Sequence, residues 1–348
     1  MSDRERDLVV RAERPFNAGT PMAALAEPVV PNRLFYVRSH FDVPEIDPQA
    51  WRLSVGGAVE RPLELSLAEL GDLPRREVAV TLECAGNGRT RMRPTPGGTP
   101  WDLDAVSTGR FAGASLGHVL DRAGVTDAVV EILFTGADRG EVEPGRTAAF
   151  ERSLPVADAS DPDTILAWEM NGEPLPPDHG RPVRLVVPRW YGVASVKWLE
   201  RIEAIETPFE GFYQAEDYIY IGDPVAPDRA PVTTVRVRAV IARPEDGARL
   251  PAGSVEVAGT AWSGDAAVER VEVSVDGGAT WAEAELGESA GPHAAVPWRW
   301  EWSPGGAGRH EVVARAADAS GAVQPLAPLW NAQGYGNNGV QRVTVEVE

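Results

Sequence analysis

The chain has 348 residues, 43% of them hydrophobic, which suffices for a packed core and suggests two domains at a prior of roughly 150 residues each. Lysine and arginine number 33 against 52 aspartates and glutamates, a net charge of −19, so the surface repels nucleic-acid phosphates and anionic lipid heads. A single cysteine excludes an intrachain disulfide, a zinc finger and a cysteine-held iron–sulfur cluster, and no apolar run approaches the roughly 20 residues of a membrane span.

The start, MSDRERDLVVRAERPF, is charged, with no apolar stretch and no adjacent arginines, so it reads as neither a secretory nor a twin-arginine signal. The protein is therefore expected in the cytoplasm. Residues 1–35 are proline-rich and read as irregular. LFYVRSHFDVP and WRLSVGGAVERPLEL then read as short strands with turns. SLAELGDL opens with a capping box, Ser66 as N-cap and Glu69 at the third helical position. EVAVTLE is a strand that ends just before Cys84. ASLGHVLDRAGV is a short helix stopped by Gly124, and AVVEILFTG and RPVRLVVP are buried strands. Without a clean βαβ repeat, this order favours α+β layers over a doubly wound sheet.

GDPVAPDRAP reads as a linker and divides the chain into 1–225 and 226–348. Beyond it six segments alternate apolar and polar residues between Gly, Pro and Asp-Gly turns, from TTVRVRAVIA to GVQRVTVEVE. They predict an immunoglobulin-like β-sandwich without the disulfide of antibody domains.

Cys84 stands in VTLECAGNGRTR, between a strand and a loop carrying Arg89 and Arg91. A lone cysteine is most often a small buried hydrophobe. Neighbouring arginines favour the thiolate, which is a nucleophile or a soft metal ligand. The glycines of the loop suggest close approach of backbone to a ligand. A cysteine protease needs a histidine base. Of five histidines, His118 falls in the helical segment and His293 and His310 in the sandwich. His40 and His179 remain, in stretches unlike a protease signature.

FYVRSHFDVP, VTLECAGNGR, PWDLDAVSTGRFAGASL, AWEMNGEPLPPDHGRPVRLVVPRWYG, VKWL and VQPLAPLWNAQG, in this order, resemble the sulfite oxidase family of molybdenum enzymes, which includes eukaryotic-type nitrate reductases. The resemblance runs over nearly the whole chain from Phe35. It implies a molybdopterin-binding catalytic domain in 1–225 and a dimerisation domain in 226–348, hence a homodimer. It implies molybdenum held by the Cys84 thiolate and the dithiolene of a single pterin. Positions matching the pterin-holding residues are Arg38, His40, His179, Arg184 and Lys197, with Asp138 matching an acceptor for the pterin's amine edge. Arg89, Arg38, Trp101 and Tyr218 match the substrate pocket.

Two departures from the family pattern stand out. Gln333, in WNAQG, occupies the place of an arginine of sulfite oxidases, and TPGGTPW lacks the lysine common before the pocket tryptophan. The pocket is thus less positive than usual for that chemistry. The activity implied is oxygen-atom transfer on a small oxyanion, with sulfite oxidation leading. The alternatives are reduction of nitrate, an S-oxide or another oxo compound, and a non-catalytic binding module with a vestigial site. With no haem motif or cytochrome-like segment in the sequence, electrons are expected to leave to a separate acceptor.

Overall fold

The computed structural model describes residues 7–348. The region up to Ile221 is built on two five-stranded sheets. In the first, Glu173–Pro174, Ile165–Met170, Val106–Ser115 and Arg75–Glu83 lie side by side, and Arg184–Val186 also pairs with Ile165–Met170. In the second the order is Leu63–Leu65, Leu53–Gly57, Leu199–Ile205, Glu131–Glu143 and Arg146–Pro155. Pairing is antiparallel except between Leu199–Ile205 and Leu53–Gly57. The strand Arg75–Glu83 is exposed over its charged start, Arg75 to Glu77, and buried from Val78 to Glu83, where its apolar residues lie.

The predicted helices are present. Ser66 Oγ accepts from the Glu69 N–H at 3.3 Å, and the Ser66 N–H donates to Glu69 Oε2 at 2.9 Å, so the capping box closes the helix Leu67–Gly71. The helix Leu116–Ala123 stops at Gly124, whose φ of 72° lies in the left-handed region. It buries Leu116, Val119, Leu120 and Ala123 on one face.

The segment LFYVRSHFDVP differs from expectation. Only Val37 makes a ladder contact, a single bridge to Ala18, and Asn32–Leu34 is a short 3-10 turn. Its backbone is satisfied instead by side chains: Asn17 Oδ1 accepts the Ser39 N–H at 2.9 Å and Ser107 Oγ accepts the Tyr36 N–H at 3.1 Å. Freed from a sheet, Arg38, Ser39 and His40 are not constrained to alternate between faces. The first residues are also less irregular than expected, since Val9–Ala12 and Asn17–Gly19 form a hairpin. It is tied down by the Arg11–Asp104 ion pair at 2.6 Å.

Beyond the linker stand two sheets, one of Arg238–Arg243, Val255–Trp262, Val296–Trp302 and Glu285–Leu286, the other of Arg249–Leu250, Arg342–Val347, Gly308–Asp318, Val268–Ser274 and Ala282–Glu283. The six predicted strands are all there. Three two-residue strands join them, too short for any periodic signal. Val257, Val271, Val312, Val343 and Trp298 pack between the sheets as one core. No helix among the described residues is long and apolar enough to cross a membrane.

Candidate active site

Cys84 follows the strand Arg75–Glu83, and its N–H donates to the Ala105 carbonyl at 2.9 Å. It lies where two cavities meet. Arg38 and Tyr218 also line both. The first cavity is bounded by Tyr36, His40, Asp138, His179, Arg184 and Lys197. The second is bounded by Arg89, Trp101, Asp217, Gln333 and Tyr335. Every residue singled out in the sequence therefore lines one cavity or the other, and the two sets share Cys84, Arg38 and Tyr218.

The first cavity is cationic. Arg184 is buried and donates to the carbonyls of His179 at 3.1 Å and Ser195 at 3.2 Å. Lys197 Nζ donates to Ser39 Oγ at 2.9 Å and the Asp178 carbonyl at 2.8 Å. Arg38 donates to Asn17 Oδ1 at 3.3 Å and to the Ser39 carbonyl. Among the described residues these three cations hydrogen-bond only to neutral oxygens. Burial pulls the Lys197 pKa down to about 7, with Arg184 adding to the shift, and that of Arg184 to about 10. Buried and half-buried cations without a bonded carboxylate favour an anionic ligand.

Asp138 complements them. Burial raises its pKa to about 6, and its Oδ1 makes no hydrogen bond among the described residues. It is an acceptor for a donor-bearing edge. The imidazole of His179 is buried, 5.4 Å from the ring of Phe35. His40 stacks on Phe150 at 4.8 Å, and its Nε2 is 2.8 Å from the Tyr218 hydroxyl. Burial, with Arg38 and Lys197 nearby, holds His40 well below the usual imidazole range, so the ring is neutral at neutral pH.

This donor set fits a phosphate-bearing pterin with one soft metal bond to the protein. Among the described residues no group of three or more His, Cys, Asp and Glu side chains is arranged to hold a metal. A metal at Cys84 would take its remaining ligands from the cofactor. Burial raises the Cys84 pKa, and Arg38 only partly offsets this. Arg38 and Arg89 do favour the thiolate, as the sequence suggests, but burial outweighs them. Deprotonation instead accompanies metal binding.

The arginine-rich loop divides its labour. Arg91 pairs with Asp102 at 2.6 Å, and Arg93 donates to the carbonyls of Thr90 and Met92 at 2.5 and 2.8 Å. Arg89 alone turns inward. It is 6% exposed, donates from Nη1 to the Thr99 carbonyl at 3.2 Å, and sits 5.1 Å over the Tyr335 ring. A Cβ on Gly86, Gly98 or Gly334 would come within 2.5 to 2.9 Å of its side chain. Gly88 faces the sandwich, where a Cβ would lie 2.8 Å from Arg238 and 2.9 Å from Asn337. The glycines thus serve a buried arginine and a domain contact. Trp101 is wholly buried, and neither its Nε1 nor Arg89 Nε has a hydrogen-bond partner among the described residues. Gln333 Nε2 donates to the Glu216 carbonyl at 3.3 Å.

Sequence reasoning missed Asp217 and Tyr335. The Tyr335 hydroxyl donates to Asp217 Oδ1 at 2.5 Å, and its ring stacks on Tyr218 at 4.8 Å with 12° between planes. The available signals were local: Asp217 immediately precedes Tyr218, and Tyr335 lies two residues past Gln333.

A family model of the oxidoreductase molybdopterin binding domain matches residues 40–213, and one of the Mo-co oxidoreductase dimerisation domain matches 229–348. Mitochondrial sulfite oxidase of Mus musculus is 42% identical over 99% of this chain, which spans 66% of that protein's length. Sulfite oxidase of Arabidopsis thaliana is 33% identical, with 99% of this chain and 95% of that protein aligned. The crystal structure of the sulfane dehydrogenase SoxCD from Paracoccus pantotrophus superposes with a TM-score of 0.84 at 29% identity, covering 95% of this chain and 84% of that one. The chain belongs to the sulfite oxidase family of molybdopterin-binding proteins.

Proposed function

We propose that the protein oxidises sulfite to sulfate and passes the electrons to a separate acceptor, as a cytoplasmic homodimer. The observation that carries this reading is the junction at Cys84: two arginines, half-buried Arg38 and buried Arg89, line the cavity that opens onto the thiol. When bound there, the molybdenum cofactor supplies two-electron oxygen-atom transfer. Arg38, His40, His179, Arg184 and Lys197 hold the pterin and its phosphate, Asp138 accepts from its amine edge, and Cys84 binds the metal. Arg38 and Arg89 attract the substrate anion and offset its charge. The Tyr218 hydroxyl, supported by neutral His40, orients the substrate, and burial keeps it protonated as a hydrogen-bond donor. Trp101 walls the pocket and excludes water.

Gln333 favours a second reading. A neutral amide where the sulfite oxidases carry an arginine leaves a cavity less suited to a dianion and open to reduction of nitrate or an S-oxide. Steady-state turnover of the cofactor-loaded protein separates the two, with sulfite plus ferricyanide against nitrate plus reduced viologen. Sulfite turnover is expected; none at millimolar sulfite would overturn the reading. The dimerisation-domain match supports the homodimer, for which sedimentation should give twice the 37.3 kDa of one chain.

A further inference from the structure

The cavity that Arg38 and Arg89 make positive also contains the carboxylate of Asp217. An anion site with a carboxylate in its wall works against itself unless that charge is restrained. Asp217 Oδ1 accepts two hydrogen bonds, from the Tyr335 hydroxyl at 2.5 Å and from the Tyr218 backbone N–H at 2.9 Å. Tyr218 has a φ of 35°, a left-handed conformation that a tyrosine adopts only when its surroundings enforce it. Its carbonyl is fixed as well, by the Val232 N–H at 2.7 Å. The Tyr335 ring that stacks on Tyr218 also carries Arg89 at 5.1 Å. Gly334 and Gly336, both at positive φ, flank Tyr335 and pack against Arg89 and Tyr220.

We infer that Tyr335 is a positioning and specificity residue of the oxyanion cavity: its hydroxyl draws the Asp217 carboxylate away from the anion, and its ring sets Tyr218 and Arg89. The two roles separate by substitution. Tyr335→Phe removes the hydroxyl and keeps the ring. Asp217 then has one donor fewer and its charge is felt more strongly by an anion. Tyr335→Leu removes the ring as well, so that Tyr218 loses its stacking partner. Asp217→Asn removes the charge itself, so the Tyr335 hydroxyl no longer has one to restrain.

This inference rests on the reading that the cavity admits the substrate anion, and its test does not depend on turnover alone. With cofactor-loaded protein, Tyr335→Phe should raise KM for sulfite about tenfold with kcat changed by less than about twofold, as expected for loss of ground-state binding. Calorimetric titration with sulfate should show a parallel tenfold rise in Kd. Adding Asp217→Asn to Tyr335→Phe should return both constants towards wild type. Tyr335→Leu should also lower kcat. A Tyr335→Phe protein that melts earlier but keeps wild-type KM and sulfate Kd would overturn the inference, as would a double variant that recovers neither constant. If wild type binds sulfate but does not turn over sulfite, the proposed reaction fails while the sulfate titrations still decide the role of Tyr335.

Discussion

Glu83 and Arg238 form an ion pair at 2.7 Å with both side chains almost wholly buried, and Glu83 is the residue before Cys84. The rest of the Glu83 carboxylate is also satisfied: Trp262 Nε1 donates to Oε2 at 2.8 Å and Asn87 Nδ2 to Oε1 at 2.9 Å. Arg238 and Trp262 belong to the sandwich, so the second domain holds the strand end that presents the thiol. Asn337 reinforces the junction by donating to the Gly88 carbonyl at 2.7 Å.

Removing one partner of a buried pair leaves an uncompensated charge, which typically costs about 3–5 kcal/mol. Arg238→Met should therefore lower stability by that order in denaturant titrations and reduce the molybdenum retained after purification. Combining it with Glu83→Gln should recover part of the loss, because the charge that lost its partner is gone.

Cys84→Ser keeps the shape of the side chain and removes the soft ligand. Elemental analysis should find molybdenum content reduced at least tenfold. Melting of the cofactor-free protein should shift little, because the Cys84 backbone bond to Ala105 remains.

Arg89 owes its place to the glycines around it. Gly98 has a φ of 99°, and a Cβ there would lie 2.5 Å from Arg89 Nη1. Gly98→Ala must move the guanidinium and strain the loop at the same time. A rise in KM for sulfite of about tenfold is expected, with a stability loss of about 1–2 kcal/mol. Gly97→Ala has no neighbour within 4 Å of its Cβ and serves as the control.

Lys197 gives a pH signature in the cofactor-free protein. Its folded pKa of about 7 lies below the unfolded value of roughly 10.4, so between those values the unfolded chain holds more protons there. Its burial penalty is full below pH 7 and fades as pH rises towards 10. Lys197→Met should therefore stabilise the cofactor-free protein at pH 7 by on the order of 1–3 kcal/mol, a gain that vanishes near pH 10. Thermal melts at the two pH values check this. In the loaded protein the same change should weaken cofactor retention.

Much of the architecture was legible because it rests on local rules. The capping box at Ser66 and Glu69, the stop at Gly124, the strand before Cys84 and the alternating segments after the linker each depend on residues a few positions apart. The ordered motifs named the cavity-lining residues, since such stretches are constrained in residue type as well as spacing.

What the sequence could not carry were relations between distant positions. Asp217 and Tyr335 are 118 residues apart and Glu83 and Arg238 are 155 apart, and no periodicity links such partners. LFYVRSHFDVP has strand-like residues, yet lies outside the sheets because side chains from elsewhere satisfy its backbone. Gly88 resembles a ligand-facing glycine until Arg238 is placed beside it. The sequence by itself determined most of the elements, the thiol and the cations. The tertiary structure decided which charges face one another, because burial and pairing are set by neighbours in space and not by neighbours along the chain.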